Sequence, residues 1–436
     1  FQKLILKKPK LVIMVDCGST SNEAIDYLNK HNIRSIIIDH HEINKPYPKS
    51  NVIINPKKEF IKKENSLLCA TALTYFFIEI LVKKTKSNFK ISNFLIYVLL
   101  ATVCDVMPLR KINKIIARNT ISNFNLKNNV ALNYIFNQFS LKKKISIDDL
   151  GFLIGPIINA GGRLNHSKYG VELLSTDDHE IIKDRANKLI NLNNKRKKIE
   201  QDILDIIDFQ KIENENKGII VYYKDNLNEG LIGIIAARLK DYFNKPSIVI
   251  TKSNNILKAS ARSTNFYNIG NLIKLLIDNK IIEKGGGHNM AAGFTMKKNN
   301  IKLFDNFIQN DFLKKNSYKE NTNKYDIELS SSALKGKFMS DINKLGPFGN
   351  FNFLPIFFIR NLKVIKFDVI NNKHVSTIIK PDTGASIKAI CFNCLNTKIG
   401  HYLLNYKKKI NIIAQMQENI WNNKKSTQLN IRDLII

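Results

Sequence analysis

Acidic and histidine side chains stand in this sequence where buried segments are expected to end. Asp16 follows one apolar run, and Asp39, His40 and His41 follow a second run. Asp105 comes directly after a third apolar segment, which is typical of a buried helix. Carboxylates combined with an imidazole suit ions such as manganese and magnesium. These residue types therefore predict a metal site of the kind that acts on phosphate groups.

The two adjacent histidines are expected to have different roles. Neighbouring side chains in an extended chain point to opposite sides, so we assign only His40 to the metal, with Asp16 and Asp105. His41 is then expected to contact the substrate phosphate or to protonate the leaving group, with Asp39 orienting an imidazole. Each residue taken singly has an ordinary explanation, because an Asp after a strand is often a helix cap and a His pair is often a surface feature.

The segments around these residues predict a parallel sheet with helices on its faces. Residues 11–15 and 36–38 are typical of buried strands, and a helix ending near Lys30 is expected between them. In such a β-α-β unit the carboxyl ends of the strands meet at one edge, where ligands gather. Further helices are expected over residues 66–83 and 91–104. The predicted fold class is therefore α/β.

The rest of the chain divides into further segments. Residues 178–213 lack Pro and Gly and have apolar residues near helical spacing, which predicts a connecting helix. Alternating strand and helix patterns over residues 214–313 predict a second, smaller α/β domain. Short β-like runs separated by turn residues over 325–436 predict a small β-barrel. The first domain is accordingly predicted to span residues 1–177.

Composition limits the class of protein. The chain has 436 residues, of which 44% are hydrophobic, enough for more than one core. Its longest uncharged apolar run falls short of the ~18 to 20 residues that a bilayer helix needs. Five scattered cysteines favour a reducing compartment, and we expect the cytoplasm. The net charge of +31 indicates a polyanionic partner, although Lys- and Asn-rich stretches show that part of this charge is a general compositional bias.

Five segments together resemble the DHH phosphoesterase superfamily, in particular the RecJ-like single-strand-specific exonucleases. They match in order and spacing over nearly the whole chain. The resemblance implies a parallel-sheet DHH domain, a connecting helix, a DHH-associated domain and an OB-like nucleic-acid-binding domain. The five segments are Asp16-Cys17-Gly18, Asp39-His40-His41, residues 101–109 (ATVCDVMPL), residues 155–164 (GPIINAGGRL) and residues 285–288 (GGGH).

The resemblance also implies which residues bind the substrate. An arginine fork suits phosphate oxygens, and paired glycines let a backbone approach a phosphate closely. Apart from the resemblance, residues 155–164 would be explained as a glycine-rich turn with a solvated arginine, and residues 285–288 as a loop. The implied substrate-binding residues are Asn159, Arg163, Ser260, Arg262, Ser263, Gly286, Gly287 and His288.

What the resemblance implies for activity is hydrolysis of single-stranded DNA from a 5′ end, in DNA repair and recombination. The implied cofactor is manganese or magnesium in a two-metal site. The implied partners are single-stranded DNA and a single-stranded-DNA-binding protein or a helicase. No membrane is expected among the partners. Two alternatives stay open: a small-substrate DHH phosphodiesterase acting on oligonucleotides or cyclic dinucleotides, and a catalytically silent DNA-binding scaffold.

The sequence departs from the family pattern in three places. The family has an earlier motif of spaced aspartates, and because this chain begins at Phe1 we expect an N-terminally truncated sequence that lacks those ligands. The chain alone is therefore expected to be nearly inactive. Cys17 replaces a usual Asn, and Leu227-Asn228 replaces a common Trp-His pair, which leaves no residue for the role of that histidine.

Overall fold

The computed structural model describes most of the chain, and the described part forms two compact units. The first unit comprises Phe1–Asn125, Lys144–Gly151 and Thr322–Ile436, and the second comprises Leu126–Lys143 and Phe152–Asn321. The described residues are 2–58, 67–141, 143–253, 256–315, 324–334, 336–382, 384–395, 397–405, 408–421 and 424–435.

The helices and strands are named here in chain order. The helices are α1 (Gln2–Ile5), α2 (Asn22–Lys30), α3 (Ala70–Lys84), α4 (Leu95–Cys104), α5 (Lys111–Asn123), α6 (Val130–Gln138), α7 (Ile147–Asp149), α8 (Gly155–Arg163), α9 (Lys168–Leu174), α10 (His179–Asp205), α11 (Phe209–Asn214), α12 (Ile232–Phe243), α13 (Ile269–Asp278), α14 (Ile301–Lys314), α15 (Gly336–Lys344) and α16 (Lys398–Asn405). The strands are β1 (Leu11–Val15), β2 (Arg34–Ile38), β3 (Val52–Ile54), β4 (Ile220–Tyr223), β5 (Ser247–Ser253), β6 (Ile256–Arg262), β7 (Lys284–His288), β8 (Ala291–Met296), β9 (Ile327–Glu328), β10 (Ile356–Ile370), β11 (His374–Pro381), β12 (Ile387–Cys391), β13 (Ile410–Trp421) and β14 (Lys424–Ile435).

The first unit contains a three-stranded parallel sheet in the order β1-β2-β3. Its register pairs Val15 with Ile38 and Ile38 with Ile54, so the three strands end at the same level. The pairing continues one residue further, because Asp16 donates its amide to Ile38 and Asp39 donates its amide to Ile54. The predicted β-α-β unit is therefore confirmed, and the residues that follow its strands share one edge.

Helices α3, α4 and α5 form a second apolar layer in the first unit. Buried side chains from the three helices, including Ala72, Val98 and Ile116, pack into one cluster. Helix α4 has no charged residue, which is typical of a helix buried on most sides. It ends where Asp105 caps it, with the Asp105 amide donating to Ala101 at 2.9 Å. The helix end thus fixes the backbone position of an acidic residue.

The C-terminal part of the first unit is a barrel. Its sheet has the order β11-β12-β14-β13-β10-β9, and β11 also pairs with β10, which closes the five longer strands into a ring. Buried side chains such as Ile359, Ile379 and Ile412 fill the interior. The predicted OB-like barrel is confirmed, but β13 and β14 are longer than expected. They form one antiparallel hairpin whose outer half is rich in Lys and Asn, so its apolar pattern is weak.

The second unit is built around a five-stranded sheet in the order β4-β5-β6-β8-β7. β4 and β5 are parallel and the other neighbours are antiparallel. The expected connecting helix is α10, which begins where the Asp178 side chain accepts the amides of Glu180 and Ile181. It ends at Asp205, and Phe209–Asn214 form the separate short helix α11. None of the helices in the described part of the chain combines the length and the apolar character that a membrane span requires.

Candidate functional site

The imidazole of His40 lies between two carboxylates at the edge of the parallel sheet. Its Nε2 atom is 3.3 Å from Asp16 Oδ1 and 3.1 Å from Asp105 Oδ2. His40 is buried, whereas the Asp16 and Asp105 side chains are about half exposed. The structure thus brings together the three residues to which the sequence assigned the metal.

Local backbone geometry explains how two distant segments reach one imidazole. Asp16 has φ of 62° directly after β1, an uncommon conformation for a residue with a side chain. This left-handed turn ends the strand at the edge where His40 follows β2. Asp105 reaches the same edge as the cap of α4. Each segment therefore contributes one acidic residue from an element end and not from an element interior.

The carboxylates control the protonation of His40. Burial alone would lower the pKa of His40, but Asp16 and Asp105 favour the protonated ring and raise that pKa above its ordinary value. Burial also raises the pKa of Asp105, while His40 acts in the opposite direction. A positive charge at this point therefore relieves the repulsion between two carboxylates that share one neighbour.

Asp39 holds the second histidine. Its Oδ1 atom lies 2.7 Å from Nδ1 of His41 and accepts the amide of His40 at 2.8 Å, while Oδ2 accepts the amide of Ser19 at 3.0 Å. Burial opposes ionisation of Asp39, but the hydrogen bonds from Ser19 and His41 outweigh it and hold its pKa well below the usual range. An ionised Asp39 accepts a proton carried on Nδ1 of His41, so Nε2 is the ring nitrogen of His41 left for a ligand.

Asn55 is a supporting residue that the sequence analysis missed. It is fully buried and donates to the Ser19 hydroxyl at 2.7 Å and to the His41 carbonyl at 2.9 Å. Asn55 follows β3 directly, as Asp16 follows β1 and Asp39 follows β2. The reasoning that selected Asp16 and Asp39, namely that ligands gather where parallel strands end, would have found Asn55 as well.

The residues present fit a divalent cation. Ligands at right angles around an ion bound at about 2.1 Å lie roughly 3 Å apart, and the carboxylate oxygens of Asp16 and Asp105 have that spacing from Nε2 of His40. Donor atoms of Asp16, His40 and His41 also lie within 4.8 Å of one another. The carboxylate hydrogen bond typical of a ligating histidine is made by His41, while the buried Nδ1 of His40 has no partner among the described residues. The separation of roles between His40 and His41 therefore stays a prediction.

The second unit contains a basic pocket of its own. A cavity of about 630 Å³ is lined by Arg163, Ser260 and Arg262, three of the predicted substrate residues. Lys258 and Lys284 add further positive charge, and Glu229 is the acidic residue in the lining. Such a concave surface with several cations suits phosphate oxygens.

Two guanidinium groups in this pocket repel each other. Burial lowers the pKa of Arg163, with a smaller contribution from Arg196, and burial lowers the pKa of Arg262, with a smaller contribution from Arg163. Arg163 is anchored by donating to the Gly230 carbonyl at 3.1 Å, and Arg262 by donating to the Ser260 hydroxyl at the same distance. An anion between them would relieve their mutual repulsion.

The secondary structure at these residues differs from the sequence interpretation. Residues 155–163 form helix α8, so the alternative of a glycine-rich turn is wrong, and the Arg163 side chain is partly buried. Ser260 and Arg262 lie within strand β6, and alternate residues of this strand face the pocket. Residues 285–288 belong to strand β7, so the loop alternative is also wrong. The glycines of residues 285–288 did not predict a strand, because glycine is usually depleted in strands.

The remaining predicted substrate residues lie outside the pocket lining. Asn159 is exposed on α8, and Ser263 is buried with its hydroxyl donating to the Tyr267 carbonyl at 2.6 Å. Gly286 and Gly287 follow the pocket residue Gly285 along β7, and His288 ends that strand with its Nδ1 accepting the Met290 amide at 3.3 Å. A role for Ser263 through its hydroxyl would require that buried bond to break.

Sequence reasoning missed two pocket residues that hold each other in place. Lys258 and Glu229 form an ion pair at 2.6 Å on the pocket wall. Hydrogen bonds from Lys258 and Ser253 lower the pKa of Glu229. The alternation of β6 gives the signal for Lys258, because it stands two residues before Ser260 and therefore on the same face.

Family models match most of the chain in three consecutive parts. The model of the DHH family N-terminal domain matches residues 1–103, that of the DHHA1 domain matches 216–314, and that of the RecJ OB domain matches 325–433. The chain belongs to the RecJ-like DHH family. The predicted membership is thereby confirmed.

Relatives of known name agree with this assignment. The chain is 27% identical to the single-stranded-DNA-specific exonuclease RecJ of Haemophilus influenzae, over 93% of this chain and 76% of that protein. It is 26% identical to RecJ of Bacillus subtilis, over 98% of this chain and 54% of that protein. The crystal structure of Thermus thermophilus RecJ in complex with Mn²⁺ has the same fold, with a TM-score of 0.82 at 19% identity, covering all of this chain and 63% of that one. The chain thus spans between about half and three quarters of these RecJ-like proteins.

Proposed function

We propose that the chain is part of a metal-dependent exonuclease that hydrolyses phosphodiester bonds of single-stranded DNA from the 5′ end, in DNA repair and recombination. The observation that carries the proposal is the convergence of Asp16 and Asp105 on Nε2 of His40. The names of the RecJ relatives support the substrate class, and the Mn²⁺ complex of Thermus thermophilus RecJ supports manganese as the cofactor.

Asp16, His40 and Asp105 would hold the metal in the proposed mechanism. A bound divalent ion supplies an activated water and stabilises negative charge on the phosphate. His41 would contact the scissile phosphate or protonate the leaving oxygen, and Asp39 keeps its imidazole in one orientation through the 2.7 Å bond to Nδ1. The low pKa of Asp39 supports this role, because a neutral carboxyl would not stabilise a charged imidazole.

The basic pocket of the second unit would bind backbone phosphates of the strand. Arg163 and Arg262 supply the guanidinium groups, and Ser260 keeps Arg262 in place. Of the other substrate residues, we retain Asn159, Gly286, Gly287 and His288 as proposed contacts near this pocket. For Ser263 we propose only a structural role, because its hydroxyl is engaged with Tyr267.

We further infer that the protein acts where DNA is, which agrees with the expected reducing cytoplasm, and that a single-stranded-DNA-binding protein or a helicase supplies its substrate.

The test of the proposed activity uses two samples: the 436-residue chain and the product of the complete reading frame that encodes it. Each is incubated with Mn²⁺ and either 5′- or 3′-labelled single-stranded DNA.

Release of short labelled products from the 5′ end, abolished by EDTA and by Asp105→Asn, would support the proposal. Cleavage confined to cyclic dinucleotides or very short oligonucleotides would favour the small-substrate phosphodiesterase. DNA binding without cleavage in either sample would favour the silent scaffold. Cleavage that persists in EDTA would contradict the metal mechanism.

A further inference from the structure

A loop of the barrel domain docks onto the segment that follows Asp105, within the first unit. The loop begins at Lys344, the last residue of α15, runs to residue 353 ahead of β10, and is called the docking loop here. The Leu109 amide donates to the Asn350 carbonyl at 2.7 Å, and the Asn350 side chain donates to the carbonyl of Val106. The docking loop therefore lies against the chain one residue beyond the proposed metal ligand Asp105.

Cations of α5 and of the residue before it hold the loop through neutral oxygens. Arg110 Nε donates to the Phe351 carbonyl at 2.6 Å, and Arg118 Nη2 donates to the Lys344 and Gly346 carbonyls at 3.1 and 2.9 Å. Neither arginine forms an ion pair with a carboxylate within the described residues. The sequence from 106 to 123 and from 344 to 356 also contains no Asp or Glu. Arg110 and Arg118 are thus fixed in place by neutral carbonyl oxygens and not by carboxylates of the described residues.

The docking loop exposes two aromatic rings. Phe351 is 51% exposed and Phe353 is 68% exposed, with ring centroids 6.4 Å apart and planes 31° from parallel. Arg110 lies over the Phe351 ring at 5.6 Å. Solvent-exposed phenylalanines on a backbone held by several hydrogen bonds present preformed apolar faces at little further entropic cost.

The backbone at Phe351 is an unusual place for a large side chain. Gly349 and Asn352 exchange both amide hydrogen bonds at 3.0 Å, which makes a four-residue turn with Phe351 at its third position. Phe351 has φ of 57°, a conformation that favours Gly or Asn at this position. A strained residue that is also exposed contributes little to packing, so its ring suggests a binding role.

We propose that Phe351 and Phe353 form a base-stacking site for single-stranded DNA beside the metal centre, an inference that rests on the proposed function. Bases stack on aromatic side chains in single-strand-binding proteins, and arginines beside them attract the phosphates. Single-stranded DNA fits both the aromatic rings and the arginines, because a single strand offers unstacked bases and a continuous anionic backbone. A base held here would keep the strand close to the residues that follow Asp105.

Phe353→Ala is the sharpest test, because this side chain is 68% exposed and its ring pairs with that of Phe351. Fluorescence anisotropy in EDTA would compare the variant and wild type on a labelled oligothymidylate and on an abasic strand of the same length. We expect affinity for the oligothymidylate to fall about five-fold or more, with the abasic strand unaffected. Phe353→Trp should restore the affinity, since it restores an aromatic face.

Phe89→Ala is a matched control. Phe89 is 51% exposed and stacks on Phe94 in the same unit at a centroid distance of 5.5 Å, but it belongs to no docking loop. Phe89→Ala should leave the affinities for the oligothymidylate and for the abasic strand unchanged. Equal affinity of Phe353→Ala and wild type for the oligothymidylate would overturn the stacking site, as would an equal loss on both strands. If metal-dependent cleavage persists in that case, the proposed function survives; absence of DNA binding and of cleavage by wild type would overturn both.

Discussion

His40 Nε2 lies 3.1 Å from Asp105 Oδ2, although one residue follows a strand and the other caps a helix. The contact joins the parallel sheet to the layer formed by α3, α4 and α5. Because Asp16 approaches the same nitrogen atom from β1, three chain segments meet at one buried imidazole. The stability of this arrangement and its affinity for a cation are therefore linked through His40.

The Asp39–His41 pair predicts a pH-dependent stability. Replacing Asp39 by Asn removes charge-assisted hydrogen bonds worth about 1.5 to 3 kcal/mol, so Asp39→Asn should lower the free energy of unfolding by about that amount at neutral pH. Because the folded pKa of Asp39 is depressed, its contribution is fully present above the ordinary aspartate pKa of 3.8 and is lost as pH falls through the folded value. Urea unfolding at several pH values measures the difference.

Asp26→Asn is the control for that series, because Asp26 is exposed on α2 and should show no such difference. A gap between wild type and Asp39→Asn that stays constant from neutral pH to well below 3.8 would show that Asp39 is not held ionised.

Gly230 is predicted to be indispensable for the basic pocket. A Cβ atom at this position would lie 2.2 Å from the carbonyl oxygen of Arg163, which is backbone and cannot rotate away. Gly230→Ala should therefore displace Arg163 and lower the free energy of unfolding by about 1 to 3 kcal/mol. Binding of single-stranded DNA should weaken as well. Thermal unfolding measures the change in stability, and fluorescence anisotropy measures the change in DNA affinity.

Gly162→Ala provides the comparison on α8, since a Cβ atom there meets nothing within 4 Å. An alanine in a helix interior is favoured over glycine by about 1 kcal/mol, so this variant should be at least as stable as wild type. If Gly230→Ala behaves like Gly162→Ala, the close approach of Arg163 to Gly230 is not a feature of the folded protein.

Arg262 is predicted to bind phosphate without affecting the metal. Loss of a hydrogen bond to a charged group costs about 1.5 to 3 kcal/mol, so Arg262→Ala should weaken single-stranded DNA binding by roughly ten- to a hundred-fold. The slope of log affinity against log salt should fall by about one unit, because one phosphate contact is lost. Manganese affinity should be unchanged, since the proposed ligands Asp16, His40 and Asp105 belong to the first unit.

Arg360→Ala removes an exposed arginine that pairs with Glu328 at 2.7 Å, and it should change the salt slope much less. His288→Ala should weaken DNA binding more modestly than Arg262→Ala, because His288 lies outside the pocket lining. An unaltered salt slope in Arg262→Ala would remove this arginine from the DNA contact.

The proximity of Asp16 and His40 could be predicted from the sequence, because the carboxyl ends of neighbouring parallel strands lie at one edge of the sheet. The same rule applies to Asn55, which was overlooked because an amide after a short strand is a common turn residue. The contact between Leu109 and Asn350 could not be predicted, because it joins segments far apart in the chain through backbone atoms that carry no residue signature. Ser263 shows the opposite error: its residue type fits phosphate binding, but its burial does not.

Manganese titration of the 436-residue chain by calorimetry tests the central claim, the metal site at Asp16, His40 and Asp105. We predict that wild type binds Mn²⁺, that His40→Ala and Asp105→Asn each weaken binding by at least about ten- to a hundred-fold, and that they keep the wild-type circular dichroism. His31→Ala, which replaces an exposed histidine of the same unit, should bind as wild type does. Wild-type manganese affinity in His40→Ala would contradict the assignment.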